Sequence, residues 1–345
     1  MRGGGTRGAY EAGALKAMAE LLEPIDIAYD VFAGVSIGAL NGALLSSFDR
    51  GDEAEAIKTL VKLWQSYGIT DLWDTWPIFG YFAMIWKQSV LDNQKLLEMV
   101  KKEMNGRSFK KMLNLISVDL NTGDVVIFDE STPIEKQPLA MMASASIPMI
   151  FPPQKELIKN TALTDGGLFT QVQLDEPIIR CKEQGYADED IIVDLIACFA
   201  KVAEIDEWTL TQAKYKNAYD IYSRKELFEF YYYWYLEDIL RIVKGFPKVN
   251  FRHLIMPTEN LGGSTIPVFD GIEENLRLLE FGERDATEMI KAYLSNNKHH
   301  HYFDETDREF HHDHHDHDVK SLKPKLFGFD QIEHILKQRD SDPRY

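Results

Sequence analysis

The sequence predicts an α/β fold in which a mostly parallel sheet lies between two layers of helices, with a more helical C-terminal part. Three observations carry the prediction. Strand and helix signals alternate from residue 9 to about 205, the pattern of strands joined by helical crossovers. A Gly34-Val35-Ser36-Ile37-Gly38 turn stands between an apolar strand and a small apolar helix. A chain of 345 residues is long enough for one large domain with a substantial core.

Taken in order, Gly3-Gly4-Gly5-Thr6-Arg7-Gly8 leads into a helical stretch from Ala9 to Leu22. Tyr29-Asp30-Val31-Phe32-Ala33 is short and mostly apolar and reads as a strand. Ile37 to Phe48 carries Ala39, Leu40, Ala43, Leu44 and Leu45, a composition suited to a buried helix. Helices follow at 52–67 and 90–104. Between them lies an aromatic segment, Trp73 to Trp86, interrupted by Pro77 and Gly80; it reads as a lid or membrane-interface element, or as core. Strands at 113–119 and 124–128 pair across Asn121-Thr122-Gly123-Asp124. Thr161-Ala162-Leu163-Thr164 is a strand end before Asp165-Gly166-Gly167, with a helix at 171–184 and a strand at 191–199 to follow. Residues 207–244 read as mainly helical and aromatic, with Phe228, Phe230 and the run Tyr231 to Tyr235 packing in a core or against a subunit. A strand at 249–256 and helices at 272–281 and 284–294 end what reads as one domain, 1–294. Residues 295–320 are dense in His and Asp, cannot build a core, and predict a disordered segment or surface loop. Their spacing matches no closed tetrahedral metal site. Residues 321–345 form a tail with one short helix over 330–338.

The motifs specify chemistry. Gly-x-Ser-x-Gly between strand and helix has the form of a nucleophile elbow, with Ser36 exposed at the bend and Gly34 and Gly38 leaving room for strand and helix to close. A serine hydroxyl needs a base, and no histidine precedes His253. A Ser-His-Asp triad would have to use His253, which lies inside a strand pattern. Asp165 is the better candidate, because a carboxylate in a largely apolar pocket gains proton affinity, and Gly166 and Gly167 let the chain turn close behind it. Gly3, Gly4, Gly5 and Gly8, helped by Arg7, would supply backbone N–H groups at a helix N-terminus to stabilise an oxyanion. The same glycine pattern also occurs in dinucleotide sites, but no acidic residue closes a second strand as that reading requires.

Together these residues resemble the patatin-like phospholipases, lipid acyl hydrolases with a Ser-Asp dyad. Asp119-Leu120-Asn121-Thr122-Gly123 resembles the family's hairpin, and Ala143-Ser144-Ala145-Ser146-Ile147-Pro148-Met149-Ile150-Phe151-Pro152-Pro153 is similar to its Ala-Ser-x-Ala-x-Pro-x-x-Phe-Pro-Pro block. The resemblance implies a three-layer α/β/α patatin-like fold, Ser36 as nucleophile, Asp165 as base, Gly3 to Gly8 as oxyanion loop, and no metal or cofactor. It implies a phospholipid or other acyl-lipid substrate reached by transient membrane-surface contact. Two departures stand out. Only Met1 and Arg2 precede the glycine loop, where the family has a hydrophobic strand, so either the sequence begins late or the sheet lacks that strand. After Asp165-Gly166-Gly167, Gln171, Gln173 and a later Pro177 replace the usual close asparagine and proline. These departures leave an inactive patatin-fold scaffold as the rival from another class.

Composition sets the remaining bounds. Two cysteines, Cys181 and Cys198, imply no disulfide framework and a reducing, cytoplasmic setting, peripheral at a membrane when engaged. No signal peptide and no stretch of about 20 apolar residues is visible. A net charge of −17 argues against nucleic-acid partners and against wholesale attraction to anionic lipid.

Overall fold

The computed structural model describes residues 1–77, 80–198, 234–258 and 270–306, with Ala218, Ile221 and Leu261. The glycine loop makes one 3-10 turn at Gly5–Arg7 and passes directly into α1 (Gly8–Leu21). β1 (Val31–Gly34) enters the Ser36 turn and α2 (Ile37–Ser46) leaves it. In α3 (Glu53–Ser66), Ala56, Ile57, Leu60, Val61 and Trp64 recur at helical spacing and are buried, so this helix turns one apolar stripe inward. A two-stranded ribbon of β2 (Asp74–Thr75) and β3 (Leu91–Asp92) closes the base of the aromatic segment, and α4 (Gln94–Glu103) follows. β4 (Met112–Asp119) and β5 (Val125–Phe128) form the hairpin read from the sequence. Then come α5 (Gln137–Ser144), β6 (Leu163–Asp165), α6 (Asp175–Glu183), β7 (Ile192–Ile196), α7 (Trp234–Gly245), β8 (Asn250–Ile255) and α8 (Ile272–Thr306).

β4 organises the sheet. One edge pairs antiparallel with β5, Leu115 opposite Phe128 through Val118 opposite Val125. The other edge is shared. β1 runs parallel along its first half, ending with Gly34 opposite Leu115, and β6 runs antiparallel along its second half, ending with Asp165 opposite Ser117. β1 and β6 therefore approach each other head to head. β7 and β8 form a separate parallel pair.

Helices cover both faces. A Cβ built on Gly42 of α2 would touch Leu113 of β4, whereas Arg180 of α6 donates to the neighbouring Asn114 Oδ1 at 3.0 Å. Successive strand residues point to opposite faces, so α2 and α6 lie on opposite sides of the sheet and the architecture is a three-layer α/β/α sandwich. Arg180 also pairs with Glu130 and donates to the Leu113 carbonyl, tying α6 to β4 and the turn after β5.

α1 packs on α8 at backbone distance. A Cβ on Gly13 would lie 2.0 Å from the Leu279 oxygen, and one on Gly282 would lie 2.0 Å from the Tyr10 oxygen. This contact corrects one expectation. The sequence predicts two helices separated near residue 282, but α8 runs unbroken because Gly282 serves helix–helix approach and does not end the helix. It continues to Thr306, into the His/Asp-rich segment. The rest of that segment, the tail, and the aromatic run from Phe228 to Tyr233 lie outside the described residues. Two further elements have no counterpart in the sequence reading: the β2–β3 ribbon and α5. Among the described residues no helix is long and apolar enough to cross a membrane.

Candidate active site

Ser36 sits at the N-terminus of α2 with φ 56° and ψ −123°, a conformation that L residues rarely adopt. The strain is imposed from both sides. A Cβ on Gly34 would lie 2.2 Å from the Gly38 oxygen, and one on Gly38 would lie 2.7 Å from the Arg2 oxygen. Strand, helix and the start of the chain thus converge on the bend, and only glycine fits at either flank. The result is a tight strand–turn–helix bend with Ser36 at its apex.

The glycine loop lies on Ser36. A Cβ on Gly3 would be 3.0 Å from the Ser36 Cβ, and one on Gly8 would be 2.5 Å from the Ile37 side chain. Gly5 takes the left-handed conformation, φ 58°, that turns the loop into α1. Among the described residues, no hydrogen bond takes the N–H of Gly3 or Gly4. Those amides keep their donor capacity, and Gly3 borders Ser36. Arg7 ends the 3-10 turn, and Gly8 opens α1.

Asp165 arrives from the opposite direction at the end of β6. Its N–H donates to the Ser146 oxygen at 3.0 Å. Gly166 crosses β4 so closely that a Cβ there would lie 2.4 Å from the Ile116 oxygen. The carboxylate Oδ1 accepts the Gly167 N–H at 2.7 Å, while Oδ2 is buried and makes no hydrogen bond of standard geometry. Burial raises the carboxyl to about 6, opposed by the neighbouring Ser36 hydroxyl and the Gly167 N–H. Ser36 is therefore within electrostatic reach of Asp165 without a formed hydrogen bond between them. Such looseness is common where a catalytic contact tightens only around substrate. Behind the aspartate, Gln171 Nε2 donates to the Gly167 oxygen at 2.7 Å, so this glutamine fixes the turn.

The surrounding blocks act as supports. Asp119 Oδ1 accepts the N–H groups of Asn121 and Ala162, at 3.1 and 2.9 Å, locking the β4–β5 hairpin to the segment entering β6. Thr164 Oγ1 donates to the Ser146 oxygen at 2.6 Å, and Ser146 Oγ donates back to Met142 at 2.8 Å.

His253 is placed elsewhere. It lies on β8, its ring packs edge-on against Tyr293 with centroids 4.8 Å apart, and its N–H donates to Asp194 Oδ1 at 3.0 Å. Burial lowers its pKa. Its described contacts are with α8 and β7 and none is with Ser36, so the triad alternative has no geometric support.

An apolar cavity of about 100 Å³ begins at Ile37, one residue beyond Ser36, and runs between α2, α3 and α4 past Leu40, Leu60, Leu96 and Met141. The sequence reading passed over two buried polar side chains near it, Glu11 on α1 and Asn41 on α2. The available signal was a polar residue, Glu11 or Asn41, flanked on both sides by apolar residues.

A family profile described as patatin-like phospholipase matches residues 1–178. Among solved structures, VipD from Legionella pneumophila is similar at 15% identity with a TM-score of 0.40; the match covers 84% of this chain and 66% of that chain. No curated protein matches.

Proposed function

The chain belongs to the patatin-like phospholipase family, and from that premise we propose that it is a lipid acyl hydrolase acting through Ser36 and Asp165. The single observation that carries this reading is the shared edge of β4, where the strand before Ser36 and the strand ending in Asp165 meet two register positions apart. A nucleophile and a buried carboxylate are thereby held face to face under a glycine loop whose amides retain their donors.

In the proposed reaction Asp165 takes the hydroxyl proton as Ser36 Oγ attacks the ester carbonyl. The resulting oxyanion is held by the amides of Gly3 to Gly5, each such donor contributing a few kcal/mol to the transition state. Collapse breaks the bond to the alcohol, which leaves with the proton from Asp165, and the acyl group stays on Ser36. Water then attacks with Asp165 again as base; the proton returns to Ser36 and the fatty acid is released. The apolar cavity at Ile37 suits the acyl chain.

The same reading includes transient membrane contact. Phe82, Ile85 and Trp86 are 76%, 74% and 57% exposed. Their segment is anchored by Val90 and Leu91 N–H groups to the oxygens of Met149 and Ile150, at 2.7 and 3.0 Å, in the block that also holds Asp165. An apolar surface with tryptophan fixed beside the site suits a lipid interface.

The test is fatty-acid release from mixed phospholipid vesicles by the protein and by Ser36→Ala and Asp165→Asn. Release by the native chain alone, with both variants folded and at least about 1,000-fold slower, supports the dyad. Equal release by all three would sink it. Folded protein that releases nothing would favour an inactive scaffold.

A further inference from the structure

Glu11 and Asn41 are buried, at 0% and 2% exposure, on α1 and α2. Neither takes part in the chemistry above, yet their bonds run to both ends of the glycine loop. Glu11 Oε1 accepts the Arg2 N–H at 2.7 Å, at the entrance to the glycine loop. Glu11 Oε2 accepts from Asn41 Nδ2 at 2.9 Å, and the same Nδ2 donates to the Gly8 oxygen at 3.1 Å, at the loop's exit. Asn41 Oδ1 accepts Trp64 Nε1 at 3.1 Å, which fixes the amide's orientation. Asn41 stands on α2, the helix that Ser36 begins.

We propose that Glu11 and Asn41 are positioning residues that clamp both ends of the glycine loop to the nucleophile's helix and so aim the loop's N–H groups at the reacting carbonyl. The inference rests on the reading of Ser36 as nucleophile for its catalytic consequence, but not for the clamp itself. Only a carboxylate serves at position 11, because both of its oxygens face donors. Burial pushes that carboxyl up to about 7, against the pull of the Met1 ammonium, the Asn41 amide and the Arg2 N–H.

Glu11→Gln tests the clamp with almost no change of volume. Its amide must face either Arg2 N–H or Asn41 Nδ2, donor against donor, and turning Asn41 over merely moves the conflict to Trp64 Nε1. Adding Asn41→Asp removes that conflict: the glutamine oxygen again accepts the Arg2 N–H and its amide donates to the new carboxylate, which still accepts from Trp64, but the carboxylate also faces the Gly8 oxygen, acceptor against acceptor, so the loop's entrance is restored and its exit is not. We measure hydrolysis of monomeric 4-nitrophenyl butyrate, amide hydrogen exchange and thermal midpoint in Glu11→Gln and in the double variant. The expected result for Glu11→Gln is kcat lower by about 100-fold with KM within about 2-fold. The hydrogen-bonded amides of Arg2, Arg7 and Gly8 should exchange at least about 10-fold faster while those of α8 do not change, and in the double variant Arg2 should be protected again with part of the kcat recovered. Unchanged loop exchange in Glu11→Gln, or loss with no recovery in the double variant, overturns the clamp. A native protein with a protected loop and no turnover would sink the hydrolase reading, while the exchange data would still decide the clamp.

Discussion

Ser36 and Asp165 both hold local free energy in reserve. The Ser36 backbone conformation costs on the order of 1–3 kcal/mol for a residue with a Cβ, and Asp165 is a carboxylate kept from water. The latter has a measurable sign. The folded carboxyl titrates at about 6, against 3.8 when exposed, so the folded state binds the proton more tightly and stability falls as pH rises through that window. Comparison with Asp165→Asn isolates this effect from Glu11, whose carboxyl is also raised. The two proteins should unfold with equal free energy below about pH 4. Above about pH 6 the variant should be more stable by about 3 kcal/mol, and a variant that is weaker at neutral pH would refute the buried charge. Activity should run the other way, with kcat/KM rising through about pH 6 as the base ionises. The bend at Ser36 and the turn after Asp165 were legible because their meaning is local: a turn of given shape needs those residues in a row. Glu11 and Asn41 were not, because a single carboxylate or amide acquires its role only from partners some thirty residues away.

Helix and strand identities followed from local apolar periodicity, and most elements lie where the sequence puts them. Short pieces did not. β2 and β3 have two residues each and exist only through their pairing with each other. Gly282 illustrates the ambiguity at this scale: in sequence it is a helix breaker, in the fold it is the seat of Tyr10 on α1. Gly282→Val should lower stability by about 3 kcal/mol, since the obstructing atom is backbone and cannot rotate away. Gly271→Ala, where a Cβ would meet nothing within 4 Å, should be near neutral in the same denaturant titration. Equal effects from the two would mean that α1 and α8 are not in backbone contact.

Charge and apolar surface are distributed unevenly over the molecule. The chain carries −17 in total, yet residues 75–91 contain no acidic residue and one lysine, Lys87. A surface that is apolar and nearly neutral should favour zwitterionic over anionic membranes. Ser36→Ala protein should cosediment with phosphatidylcholine vesicles, and adding Phe82→Asp and Ile85→Asp should weaken this at least 10-fold, each substitution exchanging an apolar side chain for a charge. Retained binding would place the lipid contact elsewhere. The sequence left this segment open between lid and core, because exposure depends on what the rest of the chain does or does not cover. β4 has a further consequence, for the chain as it is made. Elbow, glycine loop and clamp all lie within the first 41 residues, while the base follows only at residue 165 and is oriented by its pairing with β4. A slip of one residue in that pairing would turn Asp165 to the opposite face. A nascent chain would therefore form the Ser36 bend before Asp165 stands beside it, and on the proposed mechanism hydrolysis would begin only once the sheet has closed in register.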